Sequence, residues 1–334
     1  MPRISVKEQV LTILNENRGN SYSGQDLADE IGVSRTAVWK AINSLREEGY
    51  SISGSTKLGY VLDEDTDVLD KKCITDMLSK EAKDFYNIEC VKIISSTNDE
   101  VGKRGRASAK EGLCIVAEEQ TAGKGRKGRS FFSPGATGLY LSILLRPNMS
   151  FEDAVLITTA ASVAAAKACE KTNTALEDGD VGIKWVNDLF LNGKKISGIL
   201  TEANLDMETS KLDFAVMGIG FNLAPPKGEW PKDIENTAGS LFENELVPGS
   251  RNALTAAFLD YFLDIYKELP NVTYLTEYRK RSVAMGKMVN VMDGAGNKRE
   301  AEVVGIDDRC QLIVRFKDEI CDTVLNSGEI SIKL

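Results

Sequence analysis

QTAGKGRKGR at Gln120–Arg129 and KWVND at Lys184–Asp188 are the two most informative stretches of the sequence. Glycines alternate with cations in the first stretch, so a mobile backbone carries many N–H, ammonium and guanidinium donors. A loop of this composition can close over a phosphate or an acyl phosphate. The second stretch sets a lysine beside an amide and a carboxylate, a combination suited to holding a nucleotide and its metal ion.

The first stretch also contains the pattern G-x-G-x-x-G, at Gly123–Gly128, which links a strand to a helix in dinucleotide-binding folds. The residues after the last glycine run through two phenylalanines to Ser133–Gly135, which cannot begin a regular helix. We therefore reject the dinucleotide-binding interpretation and expect a flexible basic loop. Phe131 and Phe132 argue against a purely solvated loop, because such a loop has little use for two adjacent aromatic side chains.

Composition is ordinary for a globular chain, with 334 residues, 42% hydrophobic and 27% charged residues, and a net charge of −9. The length allows two or three domains. The negative balance argues against bulk coating of nucleic acid and leaves room for local basic patches. The absence of a signal peptide, and of an apolar run of about eighteen residues, predicts a cytoplasmic protein with no membrane partner.

The chain contains no histidine, which excludes Ser-His-Asp and Cys-His catalysis and zinc sites built on histidine. Its six cysteines form no Cys-x-x-Cys pair, and we expect them to be reduced, buried thiols. An enzyme of this composition would work by positioning and electrostatics, or through a carboxylate or lysine base.

Residues 1–63 predict a winged helix-turn-helix domain. Ser5, Ser23 and Ser34 each precede a segment with an apolar face at helical spacing, and Gly32 separates the second helix from the third. Two short alternating segments after Gly49 predict a two-stranded wing.

The third helix carries candidate DNA-binding residues opposite its apolar stripe: Arg35, Thr36, Trp39, Lys40 and Asn43. Such side chains reach base edges and phosphates in a major groove. The alternative is a solvated helix face in a protein-interaction module. Because the charges of this domain roughly balance, we expect tight DNA binding to need dimerisation.

The rest of the chain predicts an α+β fold in two parts, after an acidic linker at Asp63–Asp67. Helix and strand patterns alternate in residues 64–275 with short hairpins, which favours a mixed sheet over a doubly wound one. Residues 276–334 hold short alternating strands, with a turn predicted at Asp293–Asn297. This pattern is typical of a small SH3-like β-barrel.

Four motifs, in order, resemble those of the biotin–protein ligases, in the bifunctional form that also represses the biotin operon. Members of that family carry a Ser-Thr-Asn segment lining the biotin pocket, a glycine/arginine loop after a glutamine, a Lys-Trp-Pro-Asn-Asp turn with a later lysine, and a Gly-x-Gly-x-Asn strand end. The corresponding residues are Ser96–Asn98, Gln120 with Gly123–Gly128, Lys184–Asp188 with Lys195, and Gly218–Asn222. The resemblance covers the whole chain, domain by domain.

Three positions depart from the family pattern. Lys124 stands where arginine is usual, so a point charge replaces a two-pronged guanidinium. Val186 stands where proline is usual, and Phe131 where a tryptophan often sits over the adenine.

The resemblance implies an ATP-dependent ligase of residues 64–275 that activates biotin as biotinoyl-5′-AMP with Mg²⁺. It would transfer biotin to a lysine of the biotin carboxyl carrier protein of acetyl-CoA carboxylase. It also implies a homodimer that represses biotin genes on operator DNA, with the adenylate as co-repressor.

The resemblance assigns site residues by role. Lys195 and Arg126 would be catalytic, and both would also contact biotin. The other biotin-binding residues would be Ser96, Thr97, Asn98, Gln120, Lys124 and Gly125. The ATP-binding residues would be Arg129, Phe131, Lys184, Asn187 and Asn222. Asp188 would either hold Mg²⁺ or only brace its turn.

Three alternatives stay open at this point. A lipoate–protein ligase or octanoyl transferase would share the catalytic fold, but those proteins lack a winged helix. A ligand-sensing transcription factor without catalysis would not need the phosphate-handling groups Lys195, Arg126 and Asn187. In a third alternative, the winged helix is an interaction module fused to a ligase and never touches DNA.

Overall fold

The computed structural model describes residues 5–47, 49–55, 57–63, 68–205, 212–292, 297–317, 319–326 and 329–332. The chain divides into two compact units. One unit runs to Val68 and includes Val247–Arg251, and the other comprises Leu69–Leu246 and the chain from Asn252 onward. The acidic linker predicted at 63–67 and the turn predicted at 293–297 lie outside the described residues, except for their terminal residues Asp63 and Asn297.

The first unit holds three helices and a hairpin: α1 (Val6–Glu16), α2 (Gly24–Ile31), α3 (Arg35–Glu47), β1 (Ile52–Ser55) and β2 (Gly59–Leu62). The three predicted serines cap the helices, since their hydroxyls accept the amide N–H of Glu8, Asp26 and Ala37. Gly32 ends α2 in the left-handed conformation, with φ 74°. The strands β1 and β2 pair antiparallel, which confirms the helix-turn-helix and its two-stranded wing.

The second unit begins with α4 (Lys71–Met77) and α5 (Lys80–Phe85) and is built on a seven-stranded sheet. Its strands are β3 (Asn87–Ile94), β4 (Leu113–Gln120), β5 (Gly138–Leu145), β6 (Gly182–Lys184), β7 (Asp188–Leu191), β8 (Lys194–Leu205) and β9 (Leu212–Asn222). The strand order is β3-β4-β5-β9-β8-β7-β6. Only β3 and β4 pair in parallel, so the sheet is mixed, as predicted.

Helices cover both faces of this sheet. On one face, Leu139, Leu141, Ile143 and Leu145 of β5 share a core with α7 (Ala154–Thr172) and α8 (Ser250–Tyr266). On the other face, Leu144 packs in a smaller core with residues of α6 (Thr97–Arg106). The alternation of β5 side chains between these two cores follows from the two-residue period of a strand.

The C-terminal strands form a five-stranded antiparallel sheet within the second unit. They are β10 (Met288–Met292), β11 (Lys298–Ile306), β12 (Leu312–Phe316), β13 (Thr323–Leu325) and β14 (Glu329–Ile332), in the order β13-β12-β11-β10-β14. The edge strands β13 and β14 do not pair with each other among the described residues, so the predicted closed barrel is not confirmed. Helix α9 (Leu275–Lys280) precedes this sheet.

The cysteines differ in part from the sequence expectation. Cys114, Cys169 and Cys310 are buried and free, whereas Cys73 and Cys90 are half-buried and Cys321 is exposed. Burial raises the pKa of the Cys90 thiol to about 12. Within the described ranges, none of the helices combines the length and the apolar character that a bilayer-spanning segment needs.

Arg281, just after α9, is a fully buried cation that joins three parts of the second unit. Its guanidinium pairs with Glu170 of α7 at 2.6 Å, with Glu277 of α9 at 2.6 Å and with Asp178 at 2.8 Å. It also donates to the carbonyl of Val181, just before β6, at 3.1 Å. Since Glu170 is only 8% exposed, loss of Arg281 would leave a buried carboxylate without its partner.

We therefore expect Arg281→Met to lower the free energy of unfolding of the second unit by about 3–5 kcal/mol. The matched control is Arg309→Met, because Arg309 is 63% exposed and lies 3.6 Å from Glu152. That change should cost less than about 1 kcal/mol. Urea unfolding followed by tryptophan fluorescence measures both variants, and equal losses would contradict the role given to Arg281.

Candidate functional site

The residues of all four motifs converge on the α6 face of the seven-stranded sheet. One cavity of about 180 Å³ is lined by the basic loop, the KWVND turn and the start of β8. Its charged lining residues are Lys124, Arg126, Arg129, Lys184, Lys195 and Asp188. Five of these six side chains are cationic, so the cavity suits a polyanion.

A second, narrower cavity of about 20 Å³ adjoins the first and shares Lys124, Phe131, Gly198 and Leu200 with it. Its remaining lining residues are Ser96, Thr97, Asn98, Gln120 and Gly218–Gly220. The structure therefore places every predicted biotin-binding residue at one or both cavities. Charge dominates the first cavity, whereas hydroxyl, amide and backbone groups dominate the second.

Parallel pairing of β3 and β4 brings the first two motifs together. The chain leaves both strands at the same edge of the sheet, where Thr121 N–H donates to Ile94 O at 2.9 Å and Ala122 N–H to Ser95 O at 2.8 Å. Ser96 then caps α6, and the Thr97 N–H donates to Oε1 of Gln120 at 2.8 Å. The Ser-Thr-Asn segment and the glutamine thus share one end of the sheet.

The basic loop folds back on itself instead of starting a helix, which confirms the rejection of a dinucleotide-binding fold. Gly125 N–H donates to Arg129 O at 2.7 Å, and Phe131 N–H donates to Gly123 O at 2.9 Å. A single 3₁₀ turn occupies Arg126–Gly128. These backbone bonds give the loop a defined shape.

Side chains of the loop attach it to the sheet and to α6. Arg126 Nη1 donates to Asn187 Oδ1 at 3.1 Å, which joins the loop to the KWVND turn. Lys124 forms an ion pair with Asp99 in the first turn of α6, and this hydrogen bond raises the pKa of Lys124. The ring of Phe131 lies over Gly220, where an added Cβ would come within 2.5 Å of a ring carbon.

The KWVND turn joins β6 to β7 and presents its polar side chains beside Lys195. The Lys195 ammonium lies 2.7 Å from Asp188 Oδ1, an ion pair without the angle of a hydrogen bond. Asn187 Nδ2 donates to Ile199 O at 2.8 Å, which orients the Asn187 carbonyl toward Arg126.

Contacts far along the chain support this turn, and sequence reasoning did not find them. The buried Trp185 donates through Nε1 to Cys310 O at 2.9 Å, in the turn between β11 and β12. The Tyr278 hydroxyl of α9 donates to Val186 O at 3.1 Å. Trp185 therefore supports the site from below, and the loop between two strands of the C-terminal sheet takes part in that support.

Asn222 is the one predicted ATP-binding residue that lines neither cavity. Its side-chain amide donates to Gly239 O at 3.0 Å and to Lys195 O at 3.4 Å. In this geometry Asn222 braces the backbone that carries Lys195.

Ser142 and Glu202 contact the site and were not predicted from the sequence. The Ser142 hydroxyl lies 2.7 Å from Thr97 Oγ1, and Asn98 Nδ2 donates to Glu202 Oε2 at 2.8 Å. The one available signal for Ser142 was a small polar residue at the centre of strand β5, which otherwise consists of glycine, leucine, isoleucine and tyrosine.

In the first unit, α3 presents the predicted DNA-binding residues to solvent. Arg35, Thr36 and Lys40 are exposed, Trp39 is 47% exposed and Asn43 is half-buried. The opposite side of the helix carries Val38, Ala41, Ile42 and Leu45, which are all buried. An exposed tryptophan beside two cations suits a surface that contacts a polyanion.

Comparisons with known proteins agree with both units. The model of the Biotin/lipoate A/B protein ligase family matches residues 90–222, and that of an HTH domain matches residues 6–61. The Bifunctional ligase/repressor BirA of Bacillus spizizenii is 33% identical over 239 residues, covering 72% of this chain and 71% of that protein. The protein of the same name from Escherichia coli is 28% identical over 325 residues, or 94% of each chain.

A solved structure with the same fold is the biotin protein ligase from Aquifex aeolicus in complex with biotin and ATP. It superposes with a TM-score of 0.60 at 24% identity, over 75% of this chain and 99% of that one.

The contact between Phe131 and Gly220 gives a test of how the basic loop is held. We expect Gly220→Ala to displace the ring, because overpacking costs about 1–3 kcal/mol. Trypsin should then cut after Lys124, Arg126, Lys127 or Arg129 about tenfold faster, as fragment masses would show. Gly228→Ala is the control, since a Cβ there meets nothing within 4 Å. Equal cleavage in both variants would contradict this anchor.

Proposed function

The chain belongs to the bifunctional ligase/repressors of the Biotin/lipoate A/B protein ligase family, and on that premise we propose that it attaches biotin to a carrier protein and represses biotin genes. The observation that carries the ligase assignment is the junction of the cationic cavity with the narrow polar one. A nucleotide in the first and biotin in the second would meet at Lys124 and Phe131, which line both.

The proposed reaction has two steps. In the first, a carboxylate oxygen of biotin attacks the α-phosphorus of ATP, pyrophosphate leaves, and biotinoyl-5′-AMP remains as a mixed anhydride. In the second, the amine of a carrier-protein lysine attacks the acyl carbon, AMP leaves, and an amide forms with loss of a proton. Neither step needs a nucleophile from the enzyme, which agrees with a chain that lacks histidine.

Catalysis by this site would be electrostatic, because negative charge gathers around the α-phosphate in the first step. Lys195, held by Asp188, would bridge the biotin carboxylate and the α-phosphate. Arg126 and Lys124 would clamp the acyl phosphate and exclude water from it. Arg129, Lys184 and Asn187 would contact the ATP phosphates, and the Phe131 ring would offer its face to the adenine.

Magnesium fits this site as an ion that both the protein and the substrate would coordinate. The described residues contain no cluster of three acidic or cysteine side chains that could hold a metal alone. Asp188 supplies a single carboxylate at the cationic cavity, and its Oδ1 already pairs with the Lys195 ammonium at 2.7 Å, so Mg²⁺ would share this carboxylate with Lys195. Mg²⁺ often binds through one or two carboxylates together with substrate phosphates, and there it would neutralise phosphate charge.

For the repressor activity, α3 would enter a major groove of operator DNA through Arg35, Thr36, Trp39, Lys40 and Asn43. A homodimer would place two such helices on a palindrome. We propose biotinoyl-5′-AMP as the co-repressor, since it would bind the cations of the basic loop, order the loop further and so alter the surface around it.

The edge of β8 is our proposed surface for both protein partners. β7 pairs with β8 only as far as Gly198, so the stretch of β8 to Leu205 has a strand neighbour on one side only among the described residues. Such an edge can add a strand from another chain. A second copy of this chain and the carrier protein of acetyl-CoA carboxylase would compete for it.

Two further sequence expectations stay proposals. One is the division into three domains, at 1–63, 64–275 and 276–334. The last domain would have an SH3-like fold and would support the KWVND turn. Use of ATP and of a carboxylase carrier agrees with a cytoplasmic location.

The Lys195 assignment gives the sharpest test of the ligase proposal. Lys195→Ala should reduce biotin-dependent pyrophosphate release by about 10²–10³-fold, the scale for loss of one preorganised charged donor. Lys194→Ala is the matched control, because the neighbouring ammonium donates to Asn236 O at 2.6 Å, outside both cavities. Release by Lys195→Ala at a rate close to that of the control would refute the assignment.

The repressor proposal is tested by mobility-shift titration on a promoter of biotin synthesis or uptake genes. Biotinoyl-5′-AMP should tighten binding, and added apo carrier protein should release the DNA. Arg35→Ala and Lys40→Ala should weaken binding by about 1–3 kcal/mol each while adenylation continues. Lys7→Ala in α1 serves as the control. If the adenylate does not change the DNA affinity, or if neither α3 substitution changes it, the repressor proposal is wrong and only the ligase proposal stands.

A further inference from the structure

Ser142 carries a fully buried hydroxyl behind two of the residues that line the narrow cavity. It sits in the middle of β5, paired in register with Ile115 of β4 and Gly218 of β9, and it is 0% exposed. Its Oγ lies 2.7 Å from Thr97 Oγ1 and 2.6 Å from Asn98 Oδ1. Thr97 and Asn98 line the cavity, whereas Ser142 does not, so any effect of Ser142 on a ligand passes through them.

These atoms belong to a row of four hydrogen-bonded side-chain oxygens, the oxygen row. Thr97 Oγ1 also lies 3.0 Å from Gln120 Oε1, so the order is Gln120 Oε1, Thr97 Oγ1, Ser142 Oγ and Asn98 Oδ1. The side-chain amides of Gln120 and Asn98 are each held by a further hydrogen bond outside the oxygen row. Gln120 Oε1 accepts the Thr97 N–H at 2.8 Å, and Asn98 Nδ2 donates to Glu202 at 2.8 Å. Turning either amide would break that bond and set two donors or two acceptors against each other.

The oxygen row has fewer hydroxyl protons than oxygen–oxygen contacts. Three oxygen–oxygen contacts need three protons, and the hydroxyls of Thr97 and Ser142 supply two. If the Thr97 hydroxyl turned its proton toward a ligand, two of the three oxygen–oxygen contacts would have no proton between the oxygens. Contact between two buried oxygens without a proton between them is unfavourable, so both hydroxyl protons stay within the oxygen row. Toward the cavity, Thr97 therefore offers only a lone pair.

We propose that Ser142 is a positioning residue for the acyl substrate: with Asn98 it holds the Thr97 hydroxyl so that Thr97 accepts, and does not donate, a hydrogen bond from the ligand. The inference rests on biotin being the substrate and deepens that proposal. A cyclic urea supplies N–H groups to such an acceptor. A dithiolane ring or an alkyl chain supplies none, so the same site would gain nothing from lipoate or octanoate.

A thermodynamic cycle tests whether Ser142 acts through Thr97. The biotin Kd is measured by titration calorimetry, without ATP, for the full chain and for Ser142→Ala, Thr97→Val and the double variant. Ser142→Ala should weaken biotin binding by about three- to tenfold, the effect of one hydrogen bond. The double variant should bind biotin no more weakly than Thr97→Val alone, because Ser142 has nothing left to position. For Ser142→Ala, the kcat at saturating biotin and the KM for ATP should not change.

Two further variants separate this role from a general loss of stability. Ser162→Ala removes another fully buried hydroxyl, which donates to Thr158 O at 2.9 Å, and should leave the biotin Kd unchanged. Ser142→Cys keeps the volume with a weak donor and should weaken biotin binding even if Ser142→Ala fails to fold. An unchanged biotin Kd in the folded Ser142 variants, or additive effects in the cycle, would overturn the inference while wild-type biotin activation stood. No biotin binding by the wild-type chain would overturn both proposals.

Discussion

Parallel pairing of β3 with β4 is the constraint on which the site depends, because it makes two segments of the chain leave the sheet at one edge. Ser96–Asn98 follows β3, and Gln120 with the basic loop follows β4. The antiparallel neighbours β5, β9 and β8 then bring Gly218–Gly220 and Lys195 alongside. A shift of one residue in the β3–β4 register would turn the side chains of the shifted strand to the opposite face and separate Ser96–Asn98 from Gln120.

Close approach of the loop to the sheet depends on glycine. Gly220 and Gly198 pair in register on β9 and β8, and the Phe131 ring occupies the space that their side chains would take. The loop's cations are thus held near the sheet by an aromatic contact and by the hydrogen bond of Arg126 with Asn187. A site that works by fixed charge benefits from this preorganisation, since little has to move when phosphate charge develops.

Much of this arrangement could be predicted from the sequence, because it rests on local patterns. The alternating helix and strand patterns of residues 64–275 predicted the mixed sheet, and the serine caps place all three helices of the first unit. The helices α4, α5 and α9 were not predicted, since six or seven residues give too little periodicity. Ser142, Cys310 and Tyr278 act on the site through contacts between distant parts of the chain, which spacing along a sequence does not reveal.

The ligase proposal requires that fixed cations beside a pocket for the ureido ring activate a carboxylate as an adenylate. Its most direct test is mass analysis of the small molecules formed from ATP and Mg²⁺ with either biotin or lipoate. We expect biotinoyl-5′-AMP and pyrophosphate with biotin, and no acyl adenylate with lipoate. Absence of biotinoyl-5′-AMP, or preferential adenylation of lipoate, would contradict this proposal.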